Sequence, residues 1–211
     1  TTNDASATGV GSIDSVYSAN TKAGFSIVTY TGNATAGATV AHGLGAVPKV
    51  IIVKRRSNTG HWEVYHAANT SAPATEHLRL SDDDDTEDNN EYWNDTAPTS
   101  SVFSLGDHVN VNENSETYVA YCWAEVVGYS KFNISKGNGN ADGEFVYTGF
   151  RPALVIAKPT TTDNYNWVAY DNKRSTYNPV RGVLYPTLSD GENTGADRVD
   201  FYANGYKYLE S

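Results

Sequence analysis

The sequence contains little that would brace a fold covalently or place it in a membrane. One cysteine, Cys122, occurs among 211 residues, so no internal disulfide can form, and methionine is absent. No apolar stretch approaches the roughly 18 to 20 residues that span a bilayer, and the polar N-terminal residues do not resemble a signal peptide. We therefore expect no membrane insertion. The strand-like run around Cys122 predicts a buried, unreactive thiol.

Positive charge and helical periodicity are scarce as well. The chain has 15 Lys and Arg residues against 25 Asp and Glu residues, which leaves a net charge of −10. This surface would repel a polyanion, so nucleic acid is not expected as a partner. Apolar residues keep a 3.6-residue period for no more than two turns, which argues against a helical domain.

The residues that are abundant favour β-structure. The chain has 15 Tyr and 18 Gly, together with many Thr, Asn and Ser. Aromatic and β-branched side chains fit a pleated surface, and Gly and Asn tolerate the dihedral angles of tight turns. We predict an all-β fold, a jelly-roll-like β-sandwich.

The chain also repeats itself once. The Gly-Phe-Ser segment at 24–26 returns as Gly-Tyr-Ser at 128–130, and Pro48 with its following apolar run returns at Pro152, both 104 residues later. A Trp-x-x-Tyr motif recurs 105 residues on. This spaced coincidence indicates a duplicated unit. We divide the chain into an N-terminal segment at 1–23, a first β-unit at 24–127 and a shortened second β-unit at 128–211.

Alternating or continuous apolar runs between turn signals predict the strands. In the first unit they lie at 25–30, 38–42, 50–54, 61–66, 78–80, 102–105, 109–111 and 118–127. In the second unit they lie at 129–134, 144–148, 154–157, 166–170, 182–184 and 199–202. The acidic run at 82–90 is expected to be an exposed loop, because packing it would bury unpaired carboxylates.

One strand of the first unit has no expected counterpart in the second. Phe103 corresponds to Phe201, 98 residues later, so the counterpart of the strand at Tyr118 would begin near position 216. A missing strand leaves an unpaired sheet edge, and proteins usually cover such edges. We expect residues 1–23, or a neighbouring subunit, to occupy it by strand addition.

Several segments resemble a known family. They are 24–33, 41–45, 92–99, 118–132, 149–152 and 177–180, and together they extend over roughly residues 24–205. They are similar to a repeated β-rich domain of tail-fibre and other virion proteins from marine phages and cyanophages. The resemblance implies a virion location and carries no catalytic residues. The chain departs from the family in its missing closing strand and in its more acidic loop.

The sequence contains only weak candidates for a metal site. Asp82, Asp84 and Asp88 place hard oxygen ligands close together, as Ca²⁺ prefers, but the run lacks the spaced loop pattern of known calcium sites. His61 and His66 are five residues apart, which puts them on opposite faces of a strand and argues against zinc. His42, just before a glycine-rich turn, is interpreted as a structural hydrogen-bonding residue.

Catalytic patterns are not found either. The sequence has no Gly-x-Ser-x-Gly elbow, and its carboxylates lie mostly in turns without a setting that would mark a glycosidase pair. The Gly-Asn-Gly-Asn segment at 137–140 is followed by no helix pattern and is interpreted as a turn. We therefore expect no enzyme and no cofactor.

Binding to a host cell-surface glycan is the serious alternative. Tyr92, Trp93 and Asn94 lie between polar loops and are predicted to form an exposed sugar-binding surface. Trp62, Trp123 and Trp167, in contrast, fall in strand patterns and are predicted to pack in the core. The main expectation is a tail-fibre or appendage module that contacts its own copies and other virion proteins; the alternatives are a receptor-binding module and a capsid decoration protein.

Overall fold

A computed structural model describes residues 1–209, and it confirms an all-β fold of antiparallel sheets. The chain forms two compact units. The first consists of Thr1–Leu80 and Thr86–Val126, and the second consists of Ser81–Asp85 and the chain from Val127 onward. The two units are described separately below.

The first unit contains strands β1 to β10 and three one-turn helices. The strands are Thr2–Asn3, Ser15–Asn20, Phe25–Thr31, Ala38–Ala41, Val50–Arg55, Trp62–His66, Glu76–Arg79, Glu87–Asp88, Val102–Leu105 and Thr117–Trp123. The helices are α1 (Ala5–Thr8), α2 (Asn90–Trp93) and α3 (Val109–Asn112).

One large sheet organises the first unit. Its eight strands follow the order β1-β2-β3-β10-β5-β6-β7-β8. The long strand β10 lies at the centre, antiparallel to both of its neighbours, so that Tyr121 is opposite Ile27 of β3 and Ile52 of β5. Gly24 turns the chain into β3 with a φ of +65°, and a Cβ there would come within 2.4 Å of the Ala124 carbonyl oxygen. Only glycine fits this turn without strain.

Strict alternation gives the sheet an inner and an outer face. In β10, Tyr118, Ala120 and Cys122 are buried, while the residues between them are half-buried. The burial of Cys122 confirms its prediction as an inner residue. The inner face packs against the two-stranded sheet β4–β9 and against α2 and α3, which contribute Val40, Phe103, Trp93 and other buried side chains to one core.

The predicted strand at 109–111 is wrong, because this segment forms helix α3. His108 caps the helix, since its Nδ1 accepts the backbone N–H of Asn110 at 3.2 Å. Two stacked tyrosines then hold the helix from the core. The Tyr30 hydroxyl donates to the Val111 carbonyl, and the Tyr118 hydroxyl donates to the Val109 carbonyl, both at 2.7 Å. Local capping and tertiary bonds thus outweigh the strand propensity of the two valines.

Residues 1–23 complete the first unit. Strand β2 pairs along β3, and β1 pairs with β2 at the end of the large sheet. The N-terminal segment is therefore an edge of the first unit. The expectation that it fills the open edge of the second unit is wrong.

The second unit contains strands β11 to β16. They are Phe145–Tyr147, Leu154–Ala157, Val168–Asp171, Val183–Leu184, Val199–Tyr202 and Gly205–Tyr208. They form two three-stranded sheets, ordered β11-β16-β15 and β12-β13-β14. Val155, Tyr170, Val183 and Phe201 belong to the buried cluster between these strands.

The pairing register repeats between the units. Val50 is opposite His66 in the β5–β6 hairpin, and Leu154 is opposite Asp171 in the β12–β13 hairpin, which are the positions 104 and 105 residues later. Leu78 of β7 is opposite Val64, as Leu184 of β14 is opposite Ala169. The three-stranded sheet β12-β13-β14 thus corresponds to β5-β6-β7.

On the other side of β5, strands β10 and β3 have no such counterpart among the described strands of the second unit. The predicted strand at 129–134, which corresponds to β3, is wrong, because this segment pairs in no sheet. Strand β3, in contrast, is held between β2 and β10. The unpredicted strand β16 pairs with β11 and β15 instead, so it does not replace β10. Over residues 1–209, no helix is long and apolar enough to cross a bilayer.

Candidate functional site: a free sheet edge and a buried charged cluster

The predicted sugar-binding surface at Tyr92 and Trp93 is wrong. Both side chains are only 2% exposed and belong to the core of the first unit. They lie on helix α2, and the Trp93 ring packs edge-on against Tyr65 with centroids 6.0 Å apart. Asn94 is half-buried and ends the helix in a left-handed conformation, with its backbone N–H bonded to the Asn90 carbonyl. The polar residues around Tyr92 and Trp93 favour an exposed loop, but the segment forms one helical turn whose aromatic side chains point into the core.

The three aspartates proposed for calcium do not form one site. Asp82 and Asp84 belong to the second compact unit, whereas Asp88 lies in β8 of the first. No group of three or more His, Cys, Asp or Glu residues suited to a metal ion occurs in the described chain.

The acidic run is also less exposed than predicted, since residues 82–87 are half-buried. Polar partners make this burial tolerable. Lys158 donates to the Asp83 carbonyl at 3.0 Å, and the Asp85 backbone N–H donates to the Asp163 carboxylate at 3.0 Å.

His42 has the structural role that the sequence predicts. Its Nδ1 accepts the Leu44 backbone N–H at 3.2 Å, so the proton lies on Nε2, which donates to the Thr99 carbonyl at 3.2 Å. Burial lowers the pKa of His42, which favours this neutral form. The ring therefore holds the turn after β4 against the loop that precedes β9.

A cluster of charged and aromatic side chains is buried beside β6, β7 and β8, the last three strands of the large sheet. Glu63 of β6 is fully buried, and its Oε1 accepts the side-chain amide of Asn110 at 2.7 Å. Next to it, Arg79 of β7 makes a two-pronged ion pair with Glu87 of β8, with N–O distances of 3.2 and 2.9 Å. Burial by itself would lower the pKa of Arg79, but the hydrogen bond to Tyr92 and the nearby carboxylates raise it.

Three rings are stacked within this cluster. Tyr92 lies between His77 and His108, with centroid distances of 3.6 and 4.3 Å. The Tyr92 hydroxyl bonds Nε2 of His108 at 3.3 Å, and Nη2 of Arg79 donates to the same hydroxyl at 3.4 Å. The cluster thus connects three neighbouring strands with α2 and with the cap of α3. We interpret it as a specificity device for packing these elements, because buried ionic groups fix geometry more than they add stability.

His77 is the most confined titratable group in the cluster. It is buried, and its Nε2 lies 3.4 Å from a Glu87 oxygen and 3.8 Å from a Glu63 oxygen. Burial lowers the pKa of His77 to about 3, and the positive charge of Arg79 acts in the same direction. The ring is therefore neutral at physiological pH.

The outer face of the large sheet has a row of aromatic rings. Phe25 and Trp123 have centroids 5.0 Å apart, Trp123 and Tyr121 are 6.3 Å apart, and Tyr121 and Trp62 are 6.3 Å apart. All four side chains are half-buried. The prediction that Trp62 and Trp123 pack in the core is therefore wrong, and only Trp167 is buried as expected. The alternation of β10 contains the missed signal, because Tyr118 and Cys122 inside require Tyr121 and Trp123 outside.

Strand β12 of the second unit has a free edge and two exposed aliphatic side chains. Leu154 and Ile156 are 56% and 53% exposed. Their counterparts in the first unit, Val50 and Ile52, are covered to a greater degree, and Val50 is only 9% exposed. Strand β12 pairs with β13 on one side, and its other side has no partner among the described strands.

The pattern of backbone bonds identifies which groups point to this edge. The Asn172 N–H donates to the Ala153 carbonyl at 3.1 Å, which makes Ala153 a bonded position toward β13. Bonding alternates along an antiparallel strand, so the N–H and C=O groups of Leu154 and Ile156 point away from β13. The edge therefore offers two exposed apolar side chains and an open row of backbone donors and acceptors.

Comparison with known proteins adds a family but no described function. No curated protein and no solved structure matches the chain. One family matches over the full length, residues 1–211, and its description is "Domain of unknown function (DUF7483)". The chain therefore belongs to the DUF7483 family.

Proposed function

We propose that this protein is a non-enzymatic structural module of a bacteriophage virion, part of a tail fibre or another surface appendage, and that it assembles through strand edges. The single observation that carries the assembly mechanism is the open, apolar edge of β12, whose counterpart in the first unit is fully paired. The virion location is inferred from the sequence resemblance. Its partners are copies of itself and other virion proteins.

The energetics of the edge support assembly. An exposed apolar strand edge is a template for pairing with another chain, and soluble proteins usually protect such edges with charge, proline or a covering loop. Within β12 itself, Leu154–Ala157, there is no charged residue and no proline. Full burial of a Leu or Ile side chain stabilises a complex by about 1.5 to 3 kcal/mol. Many copies in one appendage would multiply such contacts.

Two measurements test this function. Antibodies against the purified chain should label particles of the phage that encodes it at an appendage or on the particle surface. Purified chain should also self-associate in sedimentation experiments, and Leu154→Lys/Ile156→Lys should suppress the association. Absence from particles would refute the virion role, and self-association unchanged in the double variant would refute assembly through this edge.

A glycan-binding module is the second candidate, because the aromatic row on the outer sheet face favours it. Flat, partly exposed rings at Phe25, Trp123, Tyr121 and Trp62 can pack on sugar rings. Glycan-array binding that Tyr121→Ala removes, in a variant that keeps its circular dichroism spectrum, would support this candidate. Binding that persists in the variant would argue against the row as the site.

A further inference from the structure

We propose that the free edge of β12 receives an antiparallel strand from a partner chain, with small residues on its inner face and aromatic residues on its outer face. This inference rests on the proposed function and names the chemistry of the partner. Its template is β10, which occupies the equivalent place beside β5 in the first unit.

The backbone of β12 is arranged for such a strand. In the first unit, the Ala67 N–H donates to the Lys49 carbonyl, and the Arg56 N–H donates to the Thr117 carbonyl. Odd-numbered residues of β5 thus bond β6, and even-numbered residues bond β10. Leu154 and Ile156 correspond to the even-numbered positions Val50 and Ile52. The free N–H and C=O groups of Leu154 and Ile156 therefore correspond to the groups of Val50 and Ile52 that bond β10 in the first unit.

The side chains of β10 specify what the incoming strand should contain. On the outer face, Trp123 is opposite Val50 and Tyr121 is opposite Ile52. By the same register, the partner places aromatic residues beside Leu154 and Ile156, which covers two side chains that are now more than half exposed. On the inner face, β10 has the small residues Ala120 and Cys122. Larger residues there would collide with the core beneath the sheet.

The experiment uses the full chain and a synthetic peptide with the sequence of residues 117–126 carrying Cys122→Ser. Peptide binding is measured by fluorescence anisotropy, and the site is mapped by hydrogen exchange. We expect the amides of Leu154 and Ile156 to exchange more slowly when the peptide is bound. A peptide N-methylated at Val119, Tyr121 and Trp123 is the matched control, because it keeps every side chain but cannot donate to the edge.

Chain variants separate edge pairing from nonspecific hydrophobic contact. Leu154→Lys/Ile156→Lys should weaken peptide binding by about tenfold or more, since it removes the central anchors. Tyr177→Lys/Leu188→Lys adds the same charge at exposed positions outside any strand and should bind like the unmodified chain.

Each outcome supports or refutes the inference. Equal binding of both peptides, or protection that maps elsewhere, refutes it. Self-association that needs Leu154 and Ile156 but is not competed by the peptide also refutes it, while the proposed assembly function stands. Peptide binding at β12 in a chain that is absent from virions would support the strand chemistry and refute the proposed function.

Discussion

Lowering the pH from 7 to 4 should destabilise the first unit through His77. The ring is buried among Glu63, Arg79, Glu87 and Tyr92, with His108 and His61 near enough to affect its charge electrostatically. Its folded-state pKa is lowered to about 3, whereas the ordinary value is 6.5. Between these two values the unfolded chain binds a proton that the folded chain does not. Stability contributed by neutral His77 is therefore present above pH 6.5 and is lost as the pH falls toward 3.

The magnitude follows from the width of that window. Each pH unit within it costs about 1.4 kcal/mol of unfolding free energy for one proton. From pH 6.5 to pH 4, the loss attributed to His77 is about 3 kcal/mol. This is a large part of the 5 to 15 kcal/mol that typically separates folded from unfolded domains.

Urea denaturation at pH 7 and pH 4, on the full chain and on His77→Gln, measures this loss. The variant is expected to be less stable at pH 7, since it loses the stacking on Tyr92, but its stability should fall by about 3 kcal/mol less between the two pH values. Carboxylates and histidines that do not interact with His77 titrate in both proteins and cancel in the comparison. Equal losses in the two proteins would show that His77 titrates normally in the fold and would refute the argument.

Other predictions concern burial and metals. Trp93→Ala should lower the free energy of unfolding by about 3 to 5 kcal/mol in urea melts, because it empties a core position, whereas Tyr177→Ala at an exposed position should change it by less than about 0.5 kcal/mol. Burial raises the pKa of the Cys122 thiol, so an aromatic disulfide reagent should label it only at the rate of unfolding; fast labelling of the native chain would contradict its position in the core. Calcium should leave Tm unchanged in a thermal melt, and a rise in Tm would show that a site exists after all.

Much of the strand pattern could be predicted because it depends on local alternation. The apolar runs at 50–54 and 154–157 are strands in the structure, and the offset between them predicts their shared hairpin register. The role of His42 could also be predicted from the sequence, because a histidine just before a glycine-rich turn can bond the backbone of that turn. These features can be predicted from residues that are close in sequence, or from one comparison between the two repeats.

Other features depend on partners that sequence does not reveal. Residues 129–134 have the alternation of β3 but form no strand, because alternation alone does not supply backbone pairing. The polar neighbours of Trp93 in the sequence predict a surface position, yet one helical turn directs its side chain into the core. Glu63 lies in an apolar strand, and only the tertiary arrangement of Asn110, His77 and Arg79 makes its burial possible.

The most direct test of strand-edge assembly compares hydrogen exchange of the isolated chain with that of the chain in assembled particles. We predict that the Leu154 and Ile156 amides exchange freely in the isolated chain and become protected on assembly. The amide of Val155, already directed toward β13, should change little. Leu154 and Ile156 amides that exchange equally fast in both states would contradict assembly through this edge.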